Sequence, residues 1–356
     1  MKSLGNFPDP FIAEIAGQPA ALRRAGNGAI EQAEALEAAA SPARRGRIVL
    51  SGMGSSYDAC YPAVTALAAG GVATLMLDAA ELLHFRLPIL RDEDLLVLVS
   101  QSGESVETVG VARALRGAAR APTIACVTNG TGNTLASLAD VALDTRAGEE
   151  TGPSTMTFVC ALAVLGALAR TIAGAGAHDA AASIALEADR TADTIAGLVA
   201  DRALPDRLVA WHGGRATTVI LGRGAARAAA EMGALTIKEA VGMPVESLQA
   251  AQFRHGPLEL AGPDLAAIVL ATEPETAELD RELAADLTRL GAAVLLVTTG
   301  GPASAGTMSI PIGSHDRLLS PAAAVVPAQL LAWRLSVERG RTPGSYVHAS
   351  KVTTRE

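Results

Sequence analysis

Short apolar runs recur along the chain, each ending in a small or polar residue: Arg47–Ser51, Leu95–Ser100, Pro122–Asn129, Thr218–Gly222, Ala267–Ala271 and Ala292–Thr299. Continuous rather than alternating hydrophobicity over four to eight residues is the pattern of strands buried on both faces of a parallel sheet. Between the runs the spacing turns helical. Val106, Val109 and Ala112 share one face, a strongly apolar helix is predicted from Ala226 to about Val241, and a helix is predicted to open near Tyr57. Residues 9–24 predict an N-terminal helix with Asp9 as cap and Pro10 at its first position. The alanine-rich stretch from Gly174 to Leu204 is helix-patterned and joins two similar halves.

The halves repeat one design. Gly46–Ser55 and Thr218–Ala225 each read strand then glycine turn, Leu95–Ser100 matches Ala267–Ala271, and Pro122–Asn129 matches Ala292–Thr299. Such alternation predicts an α/β chain with parallel sheets flanked by helices. The expected organisation is a helical segment (1–30), a first domain (31–175), a helical linker (176–205), a second domain (206–342) and a C-terminal tail (343–356). In sheets of this kind ligands sit beyond the carboxyl ends of the strands.

Of the 356 residues, 49% are hydrophobic and 19% charged, so the chain is globular, and aromatics at 3% favour close helix–sheet packing. A formal charge of −8 without a dense basic run excludes a nucleic-acid partner. The longest apolar stretch, Phe158–Ala169, is too short to span a bilayer, and residues 1–24 show no signal-peptide pattern. Cys60, Cys126 and Cys160 stand apart in apolar surroundings and read as buried free thiols of a cytoplasmic protein, and no Cys/His spacing suggests a metal. Gly222-Arg-Gly-Ala lacks the third glycine of a dinucleotide fingerprint, so no cofactor is expected.

Three segments carry candidate chemistry. After the Leu95–Val99 run come Ser100, Gln101, Ser102, Gly103, Glu104 and Ser105, then a helix. Free backbone N–H groups and the helix dipole favour an anion there, and hydroxyl and amide donors suit a phosphate monoester. A serine-rich helix cap with no ligand fits the local pattern equally well. Ser55 and Ser56 in the first glycine turn could meet the same phosphate or a sugar hydroxyl. Glu239, near the end of an apolar helix, could serve as a general base with a raised pKa. His255, in a turn before Gly256-Pro257, could move protons near neutral pH. Lys351 lies on an extended tail that could close over a pocket. Taken alone, Glu239 reads better as an exposed helix end and His255 as a solvent-facing loop residue, and Lys351 could equally lie on a frayed end.

Together the segments resemble the tandem sugar-isomerase (SIS) domain family, and in particular the isomerase half of the glutamine–fructose-6-phosphate aminotransferases. Gly54-Ser-Ser-Tyr57 resembles the family's Gly-Thr-Ser-Tyr turn, and Ser100-Gln-Ser-Gly-Glu-Ser105 its Ser-Gln-Ser-Gly-Glu-Thr loop. Ala234-Leu-Thr-Ile-Lys-Glu239 resembles Ala-Leu-Lys-Leu-Lys-Glu, and Arg254-His-Gly-Pro-Leu258 resembles Lys-His-Gly-Pro-Leu. The resemblance implies two SIS domains, each a flavodoxin-like three-layer sandwich. It implies that Ser55, Ser56, Ser100, Gln101, Ser102 and Ser105 hold a 6-phosphate. By the same resemblance Glu239 moves a proton between C1 and C2, His255 opens the sugar ring from a neighbouring subunit of a homodimer, and Lys351 closes the site. Glu150 and Ser154 match a further segment at the site. Thr236 and Met156 stand where the family carries lysines, and neither a glutaminase domain nor its N-terminal nucleophilic cysteine is expected.

The expectation is therefore an enzyme acting on an amino-sugar or ketosamine 6-phosphate. A glucosamine-6-phosphate deaminase that releases ammonia and fructose 6-phosphate is read first. A fructosamine-6-phosphate deglycase, an ammonia-dependent aminotransferase-like isomerase and a non-catalytic sugar-phosphate sensor stay open.

Overall fold

The computed structural model describes residues 9–44, 46–118, 121–353 and 355. The first half forms five strands: β1 (Ile48–Gly52), β2 (Thr74–Asp78), β3 (Leu95–Val99), β4 (Thr123–Thr128) and β5 (Val141–Asp144). The second forms β6 (Thr217–Gly222), β7 (Glu246–Gln249), β8 (Leu265–Ala271), β9 (Ala293–Thr298) and β10 (Met308–Pro311). All pairings are parallel, in the orders β2-β1-β3-β4-β5 and β10-β9-β8-β6-β7. Numbered within its own half, the second sheet repeats the first, which is the flavodoxin-like order. The apolar runs thus form the strands expected of them. β1, β3 and β8 are buried along their whole lengths, as helices on both faces require, while the edge strand β2 is half-buried.

One apolar core runs through both halves. The Met156–Ile172, Arg227–Val241 and Val326–Glu338 helices carry it between the sheets, and separate clusters cover the outer face of each sheet. The N-terminal helix opens as expected, with the Asp9 side chain accepting from the Phe11 N–H and Pro10 at the first position. It runs to Glu31, past the expected end at 24, because Gly26 packs against the Ala177–Ala200 helix. A Cβ on Gly26 would lie 3.0 Å from the Ala185 Cα, so small residues let the two helices approach closely. The helix expected from Tyr57 is two pieces, Ser55–Asp58 and Tyr61–Ala69. All three cysteines are free and buried, and burial pushes the Cys126 thiol up to about 12. No helix among the described residues is long and apolar enough to cross a membrane.

Candidate active site

The order β2-β1-β3 makes β1 and β3 the point where the chain reverses its direction of winding, and a crevice opens there at the strands' carboxyl ends. Ser55 and Ser56 follow β1, and Gln101, Ser102 and Ser105 follow β3. All five line a single cavity of about 280 Å³. Ser154, Leu235, Glu239 and Lys351 close its other sides, and Tyr346, Ser350 and Thr353 add the C-terminal tail.

The loop after β3 is set by Gly103. Its φ of +65° is left-handed, and a Cβ there would fall 2.0 Å from the Asn133 Oδ1. That oxygen accepts from the Ala136 N–H to cap the Thr134–Leu138 helix, so it has little room to yield. Left-handed backbone costs an L-residue roughly 1–2 kcal/mol before any clash. Gly103→Ala is therefore expected to lower stability by more than about 2 kcal/mol and to weaken phosphosugar binding, measured by urea unfolding and calorimetry. Unchanged stability would mean that Asn133 moves aside freely.

Ser105 is the N-cap residue of the Val106–Arg116 helix, yet its side chain makes no capping bond. Its hydroxyl lies 3.2 Å from that of Ser100 and lines the cavity. An ordinary cap would turn the hydroxyl back onto the helix, whereas here it meets Ser100 at the cavity wall. Ser55 and Ser154 share a hydrogen bond of 2.9 Å across the cavity, and the Ser56 hydroxyl accepts from the Gln101 N–H at 3.3 Å. The Ser102 hydroxyl accepts from the Glu104 N–H at 3.1 Å and keeps its own proton to donate.

Two expected contacts fall elsewhere. Ser100 is buried and does not line the cavity, because its hydroxyl accepts from the Gly103 N–H at 3.2 Å and meets Ser105; it holds the loop. Glu150 is likewise off the cavity wall. Its carboxylate accepts from the backbone and side chain of Thr155 (2.8 and 2.9 Å), from Thr157 and, at 2.7 Å, from the Lys351 ammonium. Lys351 also donates to the Gly152 carbonyl at 2.7 Å. Tail residues thus line the pocket, and the Thr353 carbonyl accepts from the Val106 N–H at 3.2 Å.

Glu239 projects into the cavity from the last turn of the Arg227–Val241 helix, which leans on the Ser55–Asp58 turn. Burial pushes its carboxyl up to about 7; the nearby Lys351 ammonium works against that shift, and Glu150 adds to it. Thr236, one turn earlier, is fully buried and donates to the Met232 carbonyl at 2.8 Å. The Met156 sulfur packs over Gly17, 2.9 Å from where a Cβ would stand. Thr236 and Met156, read as departures from the family's lysines, are therefore taken up in packing, and Lys351 is the one cation lining the cavity among the described residues. His255 is exposed in the turn after the Ala250–Phe253 helix and does not line this cavity.

Glu107 and Tyr346 line the cavity without having been read from the sequence. One Glu107 carboxylate oxygen is buried and has no hydrogen-bond partner. Burial, then Glu239, Glu150 and Glu14, push the Tyr346 phenol up. A tyrosine five residues before the tail lysine was the available signal for Tyr346. For Glu107 it was an acidic residue in the first turn of the helix that follows the serine loop.

The SIS domain model matches residues 43–171 and 215–339. The chain is 29% identical over 365 residues to the glutamine–fructose-6-phosphate aminotransferase [isomerizing] of Pyrobaculum aerophilum, covering 100% of this chain and 59% of that protein. It therefore spans about three fifths of the length of such curated relatives. Among solved structures, the C-terminal domain of glucosamine-fructose-6-phosphate aminotransferase from Francisella tularensis superposes with a TM-score of 0.82 at 20% identity, covering 95% of this chain and 98% of that one. Glucosamine-6-phosphate deaminase from Thermotoga maritima gives 0.74 at 20% identity, with 96% and 99% covered.

Proposed function

The chain belongs to the SIS domain family, and from that premise we propose that it is a phosphosugar isomerase-type enzyme acting on an amino-sugar 6-phosphate, in the first place a glucosamine-6-phosphate deaminase. One observation carries the reading: a hydroxyl-and-amide cradle and a carboxylate titrating near neutrality share one cavity. The cradle fixes the phosphate and so sets the distance to the reacting carbons. Glu239 takes the C2 proton of the open-chain aldose and returns it to C1. The C2–N bond becomes an imine, which water hydrolyses to the ketose and ammonia. His255, from the second subunit of a homodimer, protonates the ring oxygen as the ring opens. The charge of the wall supports an amine-bearing ligand. Glu107 and Glu239 line it, while its one cation already contacts Glu150 and Gly152.

Incubation with glucosamine 6-phosphate is expected to yield ammonia and fructose 6-phosphate in equal amounts. Amine release from a fructosamine 6-phosphate without ammonia from glucosamine 6-phosphate would replace this reading by a deglycase. Binding without turnover or C2-proton exchange on any 6-phosphosugar would replace it by a sensor.

The cradle makes its own prediction. Ser102→Ala with Ser105→Ala removes two donors to an anion, each worth roughly 1.5–3 kcal/mol. Calorimetry is expected to show 6-phosphosugar affinity falling by about 100-fold or more, with little change for the unphosphorylated sugar. Equal losses for both ligands would place the phosphate elsewhere.

A further inference from the structure

The N-terminal helix reaches the cavity through the chain segment that holds Lys351. Glu14, on the second turn of the Pro10–Glu31 helix, is buried, and its carboxylate is spent on that segment. One oxygen accepts from the Thr151 N–H at 2.5 Å and from the Thr151 hydroxyl at 2.9 Å. The other accepts from the Gly152 N–H at 3.1 Å. A Cβ on Gly152 would stand 2.9 Å from that second oxygen, so the backbone sits directly on the carboxylate. Gly152 then offers its carbonyl to the Lys351 ammonium at 2.7 Å, opposite the 2.7 Å contact from Glu150. On its far side the Gly152 carbonyl leads into Pro153, whose ring fixes φ.

We propose that Glu14 is a positioning residue for Lys351: it fixes the Gly152 carbonyl that, with Glu150, sets where the tail ammonium stands over the cavity. The tail needs such a seat. From Thr342 to Thr353 it forms no helix or strand, so Lys351 is placed by its contacts and not by regular structure. The same end of the N-terminal helix meets the tail and the last helix at two more points. Asp9 accepts from the Trp333 indole at 2.7 Å, and a Cβ on Gly344 would lie 2.7 Å from the Phe11 Cβ. Two of the three ammonium protons go to Gly152 and Glu150, which leaves one for the cavity.

The proposal rests on Lys351 being a site residue, and its test needs no substrate. Glu239 is faced by Lys351 and Tyr346 from the tail, Glu150 from the 147–155 loop and Asp58 from the turn after β1; Lys238 adjoins it on its own helix. Lys351 holds the Glu239 carboxyl down against burial, so displacing the ammonium lets the carboxyl rise. Glu14→Gln keeps the volume but turns an amide N–H donor toward one of the two backbone N–H groups. The Glu239 carboxyl can be followed by carbon NMR against pH, its signal assigned by its loss in Glu239→Gln.

The wild-type midpoint is expected near 7. Lys351→Met is expected to raise it, Glu14→Gln to raise it by at least half as much, and the double variant to go no further than Lys351→Met alone. Gln18→Leu is the control, since Gln18 lies one turn on in the same helix and pairs with Gln329 at 2.8 Å; it should leave the midpoint in place. If Glu14→Gln does not fold, Gly152→Ala presses on the same contact and should move the midpoint in the same direction. A wild-type midpoint in the folded Glu14 variant, or a Glu14 effect that persists without Lys351, would overturn the proposal. Absence of deaminase activity would leave these titrations unaffected, so the two readings fail separately.

Discussion

Glu239→Gln is expected to abolish almost all turnover while leaving 6-phosphosugar affinity close to wild type. Glutamine nearly matches glutamate in volume but cannot take the C2 proton, and a positioned general base contributes roughly 100- to 10,000-fold. Exchange of the C2 proton with solvent deuterium should vanish in step. The free enzyme's kcat/KM should rise with pH through about 7, where the carboxyl ionises. The same shift has a consequence for stability. A carboxyl whose pKa is higher folded than unfolded holds more protons in the folded state, so its contribution is favourable at low pH. That contribution is lost as pH rises from the ordinary glutamate range to about 7. Glu239→Gln should therefore unfold at higher urea than wild type at pH 8, with the difference shrinking toward pH 4. Wild-type exchange in this variant would hand the role of base to another group at the site, with Lys351 first.

The strands were legible because a parallel sheet covered on both faces leaves a continuous apolar run, as in Leu95–Val99, which needs no tertiary context to recognise. The duplication was legible for the same reason, since β1, β3 and β4 and their counterparts β6, β8 and β9 repeat in order and spacing. The cradle could be read in outline because its residues follow a strand directly. Which of them line the cavity could not. Ser100 and Ser105 are both serines at the same helix start, and only the bond from the Gly103 N–H to Ser100 decides that one supports the loop while the other lines the cavity. Glu150 shows the same limit, since its contact with Lys351 spans 201 positions of sequence. The length of the N-terminal helix was hidden because Gly26 looks like a breaker until Ala185 of another helix is seen against it. Glu107 and Tyr346 entered the site through folding, and neither stands in a motif.

Mixing two inactive variants should restore activity if His255 serves the neighbouring subunit. Within its own chain His255 is exposed and absent from the wall that carries Glu239. Its turn is nevertheless built to present it. Arg254 is tied to Asp286 at 2.8 Å, and Gly256 takes a φ of +129° before Pro257 starts a short helical turn. A histidine held on the surface, away from the cavity that Glu239 lines, suits a two-fold assembly in which each surface completes the other's site. Glu239→Gln and His255→Ala homodimers should each be nearly inactive on the cyclic sugar. After equal mixing and subunit exchange, about half the dimers are mixed, and each mixed dimer carries one intact site out of two. About a quarter of wild-type activity should return, and it should track the mixed-dimer fraction measured by native mass spectrometry. If His255 acted within its own chain, every site in the mixture would still lack one group, and activity would stay at the level of the separate variants however complete the exchange.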